Sequence, residues 1–186
     1  MPTVYGAFVM DAFDSGRPEM PHLVLRNHGS ESPIVNVRIH SECLTGDVFG
    51  STRCDCGEQL ATSLRYIEDN GGVLVYLRQE GRGIGLVNKM KAYNLQDQGM
   101  DTVEANNHLG FAADLRNFDV AAQILDVLGV SSVQLMTNNP RKVDTLKAHG
   151  VNIEERVPVR SDVQPENERY LGTKARKLGH HIDWLG

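Results

Sequence analysis

The cysteines of this chain are confined to one short stretch. Cys43, Cys54 and Cys56 are the only three in 186 residues. Thiolates bind zinc well; catalytic zinc sites keep three protein ligands and one open position, whereas structural sites use four. His40, three residues before Cys43, is a candidate fourth ligand. The spacing therefore favours a zinc site, catalytic or structural, over thiols that bind no metal.

Two other interpretations of this stretch are weaker. His40-Ser41-Glu42 matches the H-x-E half of the zinc deaminase signature, but the P-C-x-x-C half is absent, because only one residue separates Cys54 from Cys56. Simple deamination is therefore the second choice of reaction. A disulfide between Cys43 and Cys54 is a further alternative, and it is rare in a reducing compartment.

Two segments downstream could bind phosphate. Arg78–Gly85 is rich in glycine and lies between a predicted strand and a predicted helix, so backbone N–H groups and Arg82 could surround an anion. It lacks the Gly-Lys-Ser/Thr ending of a Walker A loop. Thr137–Lys142 is a second strand-to-helix junction with hydroxyl, amide and cationic groups. Each could also be an ordinary turn or helix cap, but the pair favours a polyphosphate ligand.

Two acidic residues could have specific roles. Glu80, inside the glycine-rich segment, could accept hydrogen bonds from the adjacent N1–H and amino groups of guanine. Asp114 and Arg116 are two residues apart, and they are either part of a site or a surface ion pair of small energy. Spacing alone favours the surface pair for Asp114 and Arg116, and an ordinary surface carboxylate is an equally good interpretation of Glu80.

The periodicity of apolar residues predicts an α+β (mixed α/β) fold in a single domain, residues 1–186. N-terminal strands forming a sheet or a small barrel are followed by alternating strands and helices. Residues 101–117 are polar and have no clear period, so we expect irregular backbone there. The predicted strands are 4–13, 22–26, 34–40, 73–77, 133–136 and 152–157, and the predicted helices are 57–70, 86–98, 119–128, 140–149 and 167–178.

The net charge of −5 and the pI of about 5.8 argue against a nucleic-acid polymer as the partner. The sequence contains no apolar run long enough to cross a membrane. The N-terminus lacks the basic and apolar regions of a secretory signal. We therefore expect a cytoplasmic protein without a membrane partner.

Taken together, the motifs resemble GTP cyclohydrolase II, the enzyme that opens riboflavin biosynthesis. The ordered set extends over nearly the whole chain and is far more specific than any one motif. The matching segments are Arg38–Asp47, Arg53–Gly57, Arg78–Gly85, Asp101–Asn106, Leu109–Phe111, Asp114-x-Arg116 and Thr137–Pro140.

The resemblance implies hydrolysis of GTP to formate, pyrophosphate and 2,5-diamino-6-(5-phosphoribosylamino)pyrimidin-4(3H)-one. Cys43, Cys54 and Cys56 would hold one zinc whose water attacks C8 of guanine. Arg116 would be the nucleophile on the α-phosphate, Asp114 the proton acceptor, and Tyr93 would help to complete ring opening. The implied GTP contacts are Arg38, Ile39, His40, Ser41, Glu42, Gln59, Glu80, Gly81, Arg82, Thr102, Thr137 and Lys142.

The family also implies Mg²⁺ on the triphosphate, GTP as the small-molecule substrate, and a homodimer. Two alternatives stay open. One is a paralogue that releases a formylated pyrimidine, against which the presence of Tyr93 argues. The other is a non-catalytic module that binds zinc and nucleotide, against which the intact cysteines, Asp114 and Arg116 argue.

Overall fold

The computed structural model describes residues 1–184, so the last two residues of the C-terminal tail, 185 and 186, lie outside the described residues. Strands and helices alternate after an all-strand beginning, and the predicted mixed α/β class is confirmed. The strands are β1 (Pro2–Thr3), β2 (Gly6–Ala7), β3 (Val9–Phe13), β4 (His22–Arg26), β5 (Val35–Ser41), β6 (Val73–Leu77), β7 (Ser132–Met136) and β8 (Asn152–Val157). The helices are α1 (Leu44–Asp47), α2 (Cys56–Asn70), α3 (Gly85–Asp97), α4 (Thr102–His108), α5 (Asp119–Val127), α6 (Pro140–Ala148) and α7 (Glu168–Leu178).

Two local predictions were wrong. The first predicted strand is interrupted, because residues 4 and 5 form the turn between β1 and β2, and Phe8 separates β2 from β3. The segment expected to be irregular contains α4, whose N-terminus is fixed by a capping box. The Asp101 carboxylate accepts from the N–H of Val103 and Glu104, and the Glu104 carboxylate accepts from the N–H of Asp101. Reciprocal capping of this kind starts a helix in a polar segment.

The chain folds into two compact units. Unit 1 comprises residues 1–40, 59–78 and 117–159, and unit 2 comprises residues 41–58, 79–116 and 160–184 of the described chain. The expectation of one domain over 1–186 stays a prediction. None of the helices in residues 1–184 has the length and apolar character required to cross a lipid bilayer.

Unit 1 is built on a six-stranded sheet with the order β3-β4-β6-β5-β7-β8. The N-terminal strands β3 and β4 form an antiparallel sheet that continues to β6, while β5, β7 and β8 are parallel neighbours. The N-terminal strands therefore form the sheet, rather than the small barrel, of the two arrangements expected.

Both faces of this sheet are covered by apolar side chains. Alternation along β6 sends Val73, Val75 and Leu77 into one cluster with residues of α5 and α6. Leu74 belongs to a second cluster, which contains residues of α2. Burial on both faces explains why β6 is an unbroken apolar run in the sequence.

Unit 2 contains α1, a 3₁₀ turn at Glu80–Gly83, α3, α4 and α7. The 3₁₀ turn includes two residues with left-handed backbone, Gly81 with a φ of +62° and Arg82 with a φ of +59°. Arg82 is the only non-glycine residue with positive φ in the described part of the chain. A side chain held in this conformation costs free energy, and such residues cluster at functional sites.

Candidate active site

The three cysteines form a compact group in unit 2. Cys43 directly precedes α1, Cys54 lies in the turn that follows, and Cys56 is the first residue of α2. Their Sγ atoms all lie within 4.8 Å of one another, and those of Cys43 and Cys54 are 3.7 Å apart. Gly46 allows this approach, because a Cβ there would lie 3.0 Å from the Cys54 sulfur.

The geometry of this group fits a zinc ion. Ligands at about 2.3 Å in a tetrahedral arrangement have sulfur atoms about 3.8 Å apart, close to the spacing of Cys43 and Cys54. Hydrogen bonds from Cys54 and Cys56 lower the pKa of the Cys43 thiol. The hydrogen bond with Cys43 in turn raises the pKa of Cys54 to about 12. A divalent cation among the three sulfur atoms would favour the thiolate form of all three.

The group contains the three cysteines and no fourth side chain among residues 1–184. His40, which the sequence suggested as a fourth ligand, belongs to unit 1, where its ring stacks on Tyr76 with centroids 5.5 Å apart. Three protein ligands and one open position are typical of a catalytic rather than a structural zinc site.

A buried lysine from α3 contacts this group. The Nζ of Lys89 donates to the Sγ of Cys43 at 3.1 Å, to the hydroxyl of Thr45 at 3.0 Å and to Glu80 at 2.8 Å. Burial alone would lower the pKa of Lys89, but the Cys43 thiolate and Glu80 outweigh it and raise this pKa. Lys89 is therefore a fixed positive charge beside the thiolates.

Glu80 is held by three donors of the protein. Its carboxylate accepts from the N–H of Leu44 at 2.7 Å, from its neighbour Gly81 at 2.7 Å, and from Lys89. The side chain is 7% exposed. These contacts join the 3₁₀ turn, the start of α1 and α3 around the cysteine group.

The cysteines open into a cavity of unit 2 whose volume is about 640 Å³ including its mouth. Eleven of the predicted site residues line it: Ser41, Glu42, Cys43, Cys54, Cys56, Glu80, Gly81, Arg82, Tyr93, Thr102 and Arg116. Residues from five of the matching segments, together with Tyr93, therefore meet at one concave site.

Asp114 and Arg116 form a buried bidentate pair. The Nε and Nη2 atoms of Arg116 donate to the two carboxylate oxygens of Asp114 at 2.9 and 2.7 Å. Burial opposes charge on Arg116, but the hydrogen bonds and the charge of Asp114 prevail and raise its pKa. The surface ion pair considered from the sequence is thus excluded, since the two side chains are only 13% and 8% exposed.

Two donors on the cavity wall are buried without a partner among the described residues. They are the Nη1 of Arg82 and the hydroxyl of Ser41. Leaving such a donor unsatisfied costs about 1–3 kcal/mol, so it favours a ligand that brings an acceptor. The backbone of Arg82 is fixed by a hydrogen bond from the N–H of Leu115 to its carbonyl at 2.9 Å.

Tyr93 lies on α3 one turn after Lys89 and is half-buried. Its hydroxyl is 3.3 Å from that of Thr45, and the guanidinium of Arg53 lies 5.0 Å from its ring centroid. Burial raises the pKa of Tyr93, so its hydroxyl keeps its proton near neutral pH.

The other predicted GTP contacts are in unit 1: Arg38, Ile39, His40, Gln59, Thr137 and Lys142. They gather where the parallel strands β5 and β7 end, with Arg38 opposite Met136 in the register. Arg38 donates to the Gln59 side chain at 2.8 Å, and Lys142 donates to the Ile39 carbonyl at 2.7 Å. This is a buried polar cluster, as expected for ligand groups at the carboxyl ends of strands.

Several residues of the cavity wall were not predicted from the sequence, namely Arg53, Gln79, Lys89, Gln96, Asn106 and Tyr170. A signal for two of them was available. Lys89, Tyr93 and Gln96 have the i, i+4, i+7 spacing of one helix face. Once Tyr93 was predicted to belong to the site, Lys89 and Gln96 could have been predicted to line it as well.

The family model of GTP cyclohydrolase II matches residues 1–158 of the chain. The chain belongs to the GTP cyclohydrolase II family. A protein of Haemophilus influenzae (strain PittGG) named GTP cyclohydrolase-2 is 54% identical over 98% of this chain and 86% of its own length. The resemblance and the enzyme class expected from the sequence are therefore confirmed.

Longer proteins and a more distant structure are also similar. The riboflavin biosynthesis protein RibBA of Chlorobium phaeovibrioides is 55% identical over 98% of this chain, which spans 45% of that protein. A crystal structure of RibBX, a two-domain 3,4-dihydroxy-2-butanone 4-phosphate synthase from A. baumannii, is 22% identical, with a TM-score of 0.44 over 87% of this chain and 38% of its own.

The family model ends at residue 158, whereas the cavity wall of this GTP cyclohydrolase II family member continues beyond it. Tyr170, on α7, lines the cavity, and the Arg82 guanidinium lies 5.7 Å from its ring centroid. The last helix is thus part of the site that the motifs form.

Proposed function

We propose that the chain is a zinc-dependent GTP cyclohydrolase II, which converts GTP into formate, pyrophosphate and 2,5-diamino-6-(5-phosphoribosylamino)pyrimidin-4(3H)-one as the first step of riboflavin biosynthesis. The observation that carries this proposal is the opening of the three-cysteine group into the cavity that Glu80, Arg82 and Arg116 also line. Metal ligands and candidate anion-binding groups then share one site within unit 2.

Cys43, Cys54 and Cys56 would hold the zinc. When bound there, zinc supplies a Lewis acid that activates water for attack on C8 of guanine. The N–H···S contact from Lys89 places a positive charge beside Cys43, which limits how much electron density that thiolate donates to a metal. Tyr93, protonated near neutral pH, would donate a proton as the imidazole ring opens.

Glu80 would recognise guanine. A carboxylate offers about four acceptor positions, and three donors of the protein already use this one. Accepting both N1–H and the amino group of guanine therefore requires at least one of these three donors to be released. The proposed GTP contacts are Arg38, Ile39, His40, Ser41, Glu42, Gln59, Glu80, Gly81, Arg82, Thr102, Thr137 and Lys142.

Arg116 and Asp114 would act on the α-phosphate. In the observed pair Arg116 is a cation, which suits it to bind phosphate oxygens. Attack of Arg116 on the α-phosphorus would break the bond to the β-phosphate oxygen and release pyrophosphate, and water would later cleave the N–P bond to regenerate Arg116. The attack requires the guanidinium to lose a proton, and Asp114 is the base in contact with it. The unpartnered Nη1 of Arg82 would supply a further donor to the nucleotide. Mg²⁺ on the triphosphate, a homodimer and a cytoplasmic location complete the proposal.

The test is the stoichiometry of metal and products. Purified protein with Mg²⁺ and GTP is expected to contain one zinc per chain and to release formate and pyrophosphate in equal amounts, with the pyrimidine identified by mass. Removal of zinc by a chelator should abolish formate release, and added zinc should restore it. Absence of both products would refute the enzyme assignment, while pyrophosphate together with a formylated pyrimidine would identify the paralogue.

A further inference from the structure

An acidic residue lies between two of the three cysteines and is buried. Asp55, in the sequence Cys54-Asp55-Cys56, is 2% exposed. The Nζ of Lys174 donates to both of its carboxylate oxygens at 2.9 Å, and the hydroxyl of Ser161 donates to one of them at 3.2 Å. Lys174 lies on α7, and all these residues belong to unit 2.

This ion pair is buried on both sides, since the side chains of Lys174 and Asp55 are 9% and 1% exposed. One ammonium group that donates to both oxygens of a carboxylate at 2.9 Å has the geometry of an ion pair. Buried ion pairs add little net stability compared with apolar residues of the same volume, but they fix geometry. The pair therefore suits a segment whose exact placement matters.

The ion pair between Lys174 and Asp55 fixes the segment that supplies the sulfur atoms of Cys54 and Cys56. A third contact joins the same parts of the chain, because the N–H of Asp162 donates to both carboxylate oxygens of Glu58 at 2.9 and 3.1 Å. Glu58 is two residues after Cys56. The C-terminal segment thus holds the turn of Cys54 and the start of α2 from one side.

We infer that Lys174 is a positioning residue of the metal site, acting through Asp55 to hold Cys54 and Cys56 at the spacing that zinc requires. This inference rests on the proposed function and extends it to a helix beyond residues 1–158, which the family model matches. It assigns α7 two roles, since Tyr170, one turn before Lys174, forms part of the cavity wall.

The test is zinc affinity, measured by competition with a chromophoric chelator on folded protein. Three variants separate positioning from charge: Lys174→Met, Asp55→Asn and the double variant that carries both changes. If the pair acted only through charge, Lys174→Met would bind zinc more tightly and Asp55→Asn would bind zinc more weakly. The double variant, whose net charge is unchanged, would bind zinc with the affinity of the unaltered protein.

If the pair positions the loop, all three variants bind zinc more weakly, and the double variant loses at least about tenfold, as for partners that orient metal ligands. Lys177→Met is the matched control, because Lys177 is on the same helix, its side chain is 44% exposed, and it pairs with Asp101 and Glu104 rather than with Asp55. It should leave zinc affinity unchanged. Normal affinity of the double variant would overturn the inference.

A measurement on the unaltered chain guards against variants that fail to fold. Coupling between two sites is reciprocal, so zinc bound by the cysteines should slow hydrogen exchange at the amides of α7. Protection that stops at residues 43–56 would overturn the inference while leaving the proposed function intact. Failure of the unaltered protein to bind zinc would instead refute the proposed zinc site, and the inference would fall with it.

Discussion

The ammonium group of Lys89 lies 3.1 Å from the sulfur of Cys43 and 2.8 Å from the carboxylate of Glu80. A single buried cation thus joins a thiol proposed to bind zinc to the residue proposed to recognise guanine. The side chains of Lys89 and Glu80 are 10% and 7% exposed, so water screens this contact weakly. The proposed metal site and the proposed guanine site are therefore electrostatically linked.

Lys89→Met should destabilise the zinc-free protein by about 3 kcal/mol, because it leaves the Glu80 carboxylate buried without its cation. Unfolding in urea, followed by circular dichroism, measures this loss. Lys91→Met is the control, since Lys91 is exposed on the same helix. Adding Glu80→Gln to Lys89→Met should recover much of the stability, and a double variant as unstable as the sum of both single changes would contradict the argument.

Cys54→Ser tests whether the two halves of the reaction are separable. Loss of one of three ligands should reduce bound zinc from one per chain to near zero, and formate release should disappear with it. Pyrophosphate release should persist, because attack at the α-phosphate is assigned to Arg116 and Asp114. Equal loss of both products, in a protein whose circular dichroism is unchanged, would show that the steps are not separable.

Arg116→Ala should abolish both products, with a fall in kcat of at least about a hundredfold, typical of removing a group that stabilises developing charge. Arg116→Lys keeps the positive charge but cannot form the bidentate contact with Asp114 seen here. If geometry matters as well as charge, the lysine variant should lie between the alanine variant and the unaltered enzyme. Full activity of the lysine variant would show that the bidentate contact with Asp114 is not required.

Residue spacing predicted the centre of the site well. The three cysteines, few in number and close in sequence, were predicted to meet, and they do. The glycine-rich segment was also placed correctly between β6 and α3. The cysteine group and the glycine-rich segment are local features, formed by residues only a few positions apart. The short backbone between such residues has little freedom, so their proximity in space can be predicted from the sequence.

Residues brought in by tertiary packing were missed. Lys174 contacts Asp55 in the cysteine turn, and Tyr170 lines the cavity. Both lie on a helix more than a hundred positions after the cysteines, and no sequence motif in that helix indicates either contact. The α4 helix was missed for a different reason. Asp101 and Glu104 carry a capping-box signature, but the many polar residues around them were taken to indicate irregular backbone.

His22 should make the stability of the protein depend on pH. Its side chain is buried, its Nδ1 accepts from the N–H of Arg78 at 3.1 Å, and burial together with the charge of Arg78 lowers its pKa below 6.5. The unfolded chain therefore takes up this proton more readily than the folded one. The contribution of neutral His22 to stability is complete above about pH 6.5 and is lost as the pH falls through the native pKa.

His22→Asn tests this, because an amide oxygen can replace the Nδ1 acceptor but cannot be protonated near neutral pH. The free energy of unfolding, measured in urea between about pH 7.5 and pH 5.5, should decrease less steeply for the variant than for the unaltered protein. Substitution of the exposed His28 by Asn serves as the control and should leave the slope unchanged. Equal slopes for the His22 variant and the unaltered protein would show that another group controls this pH range.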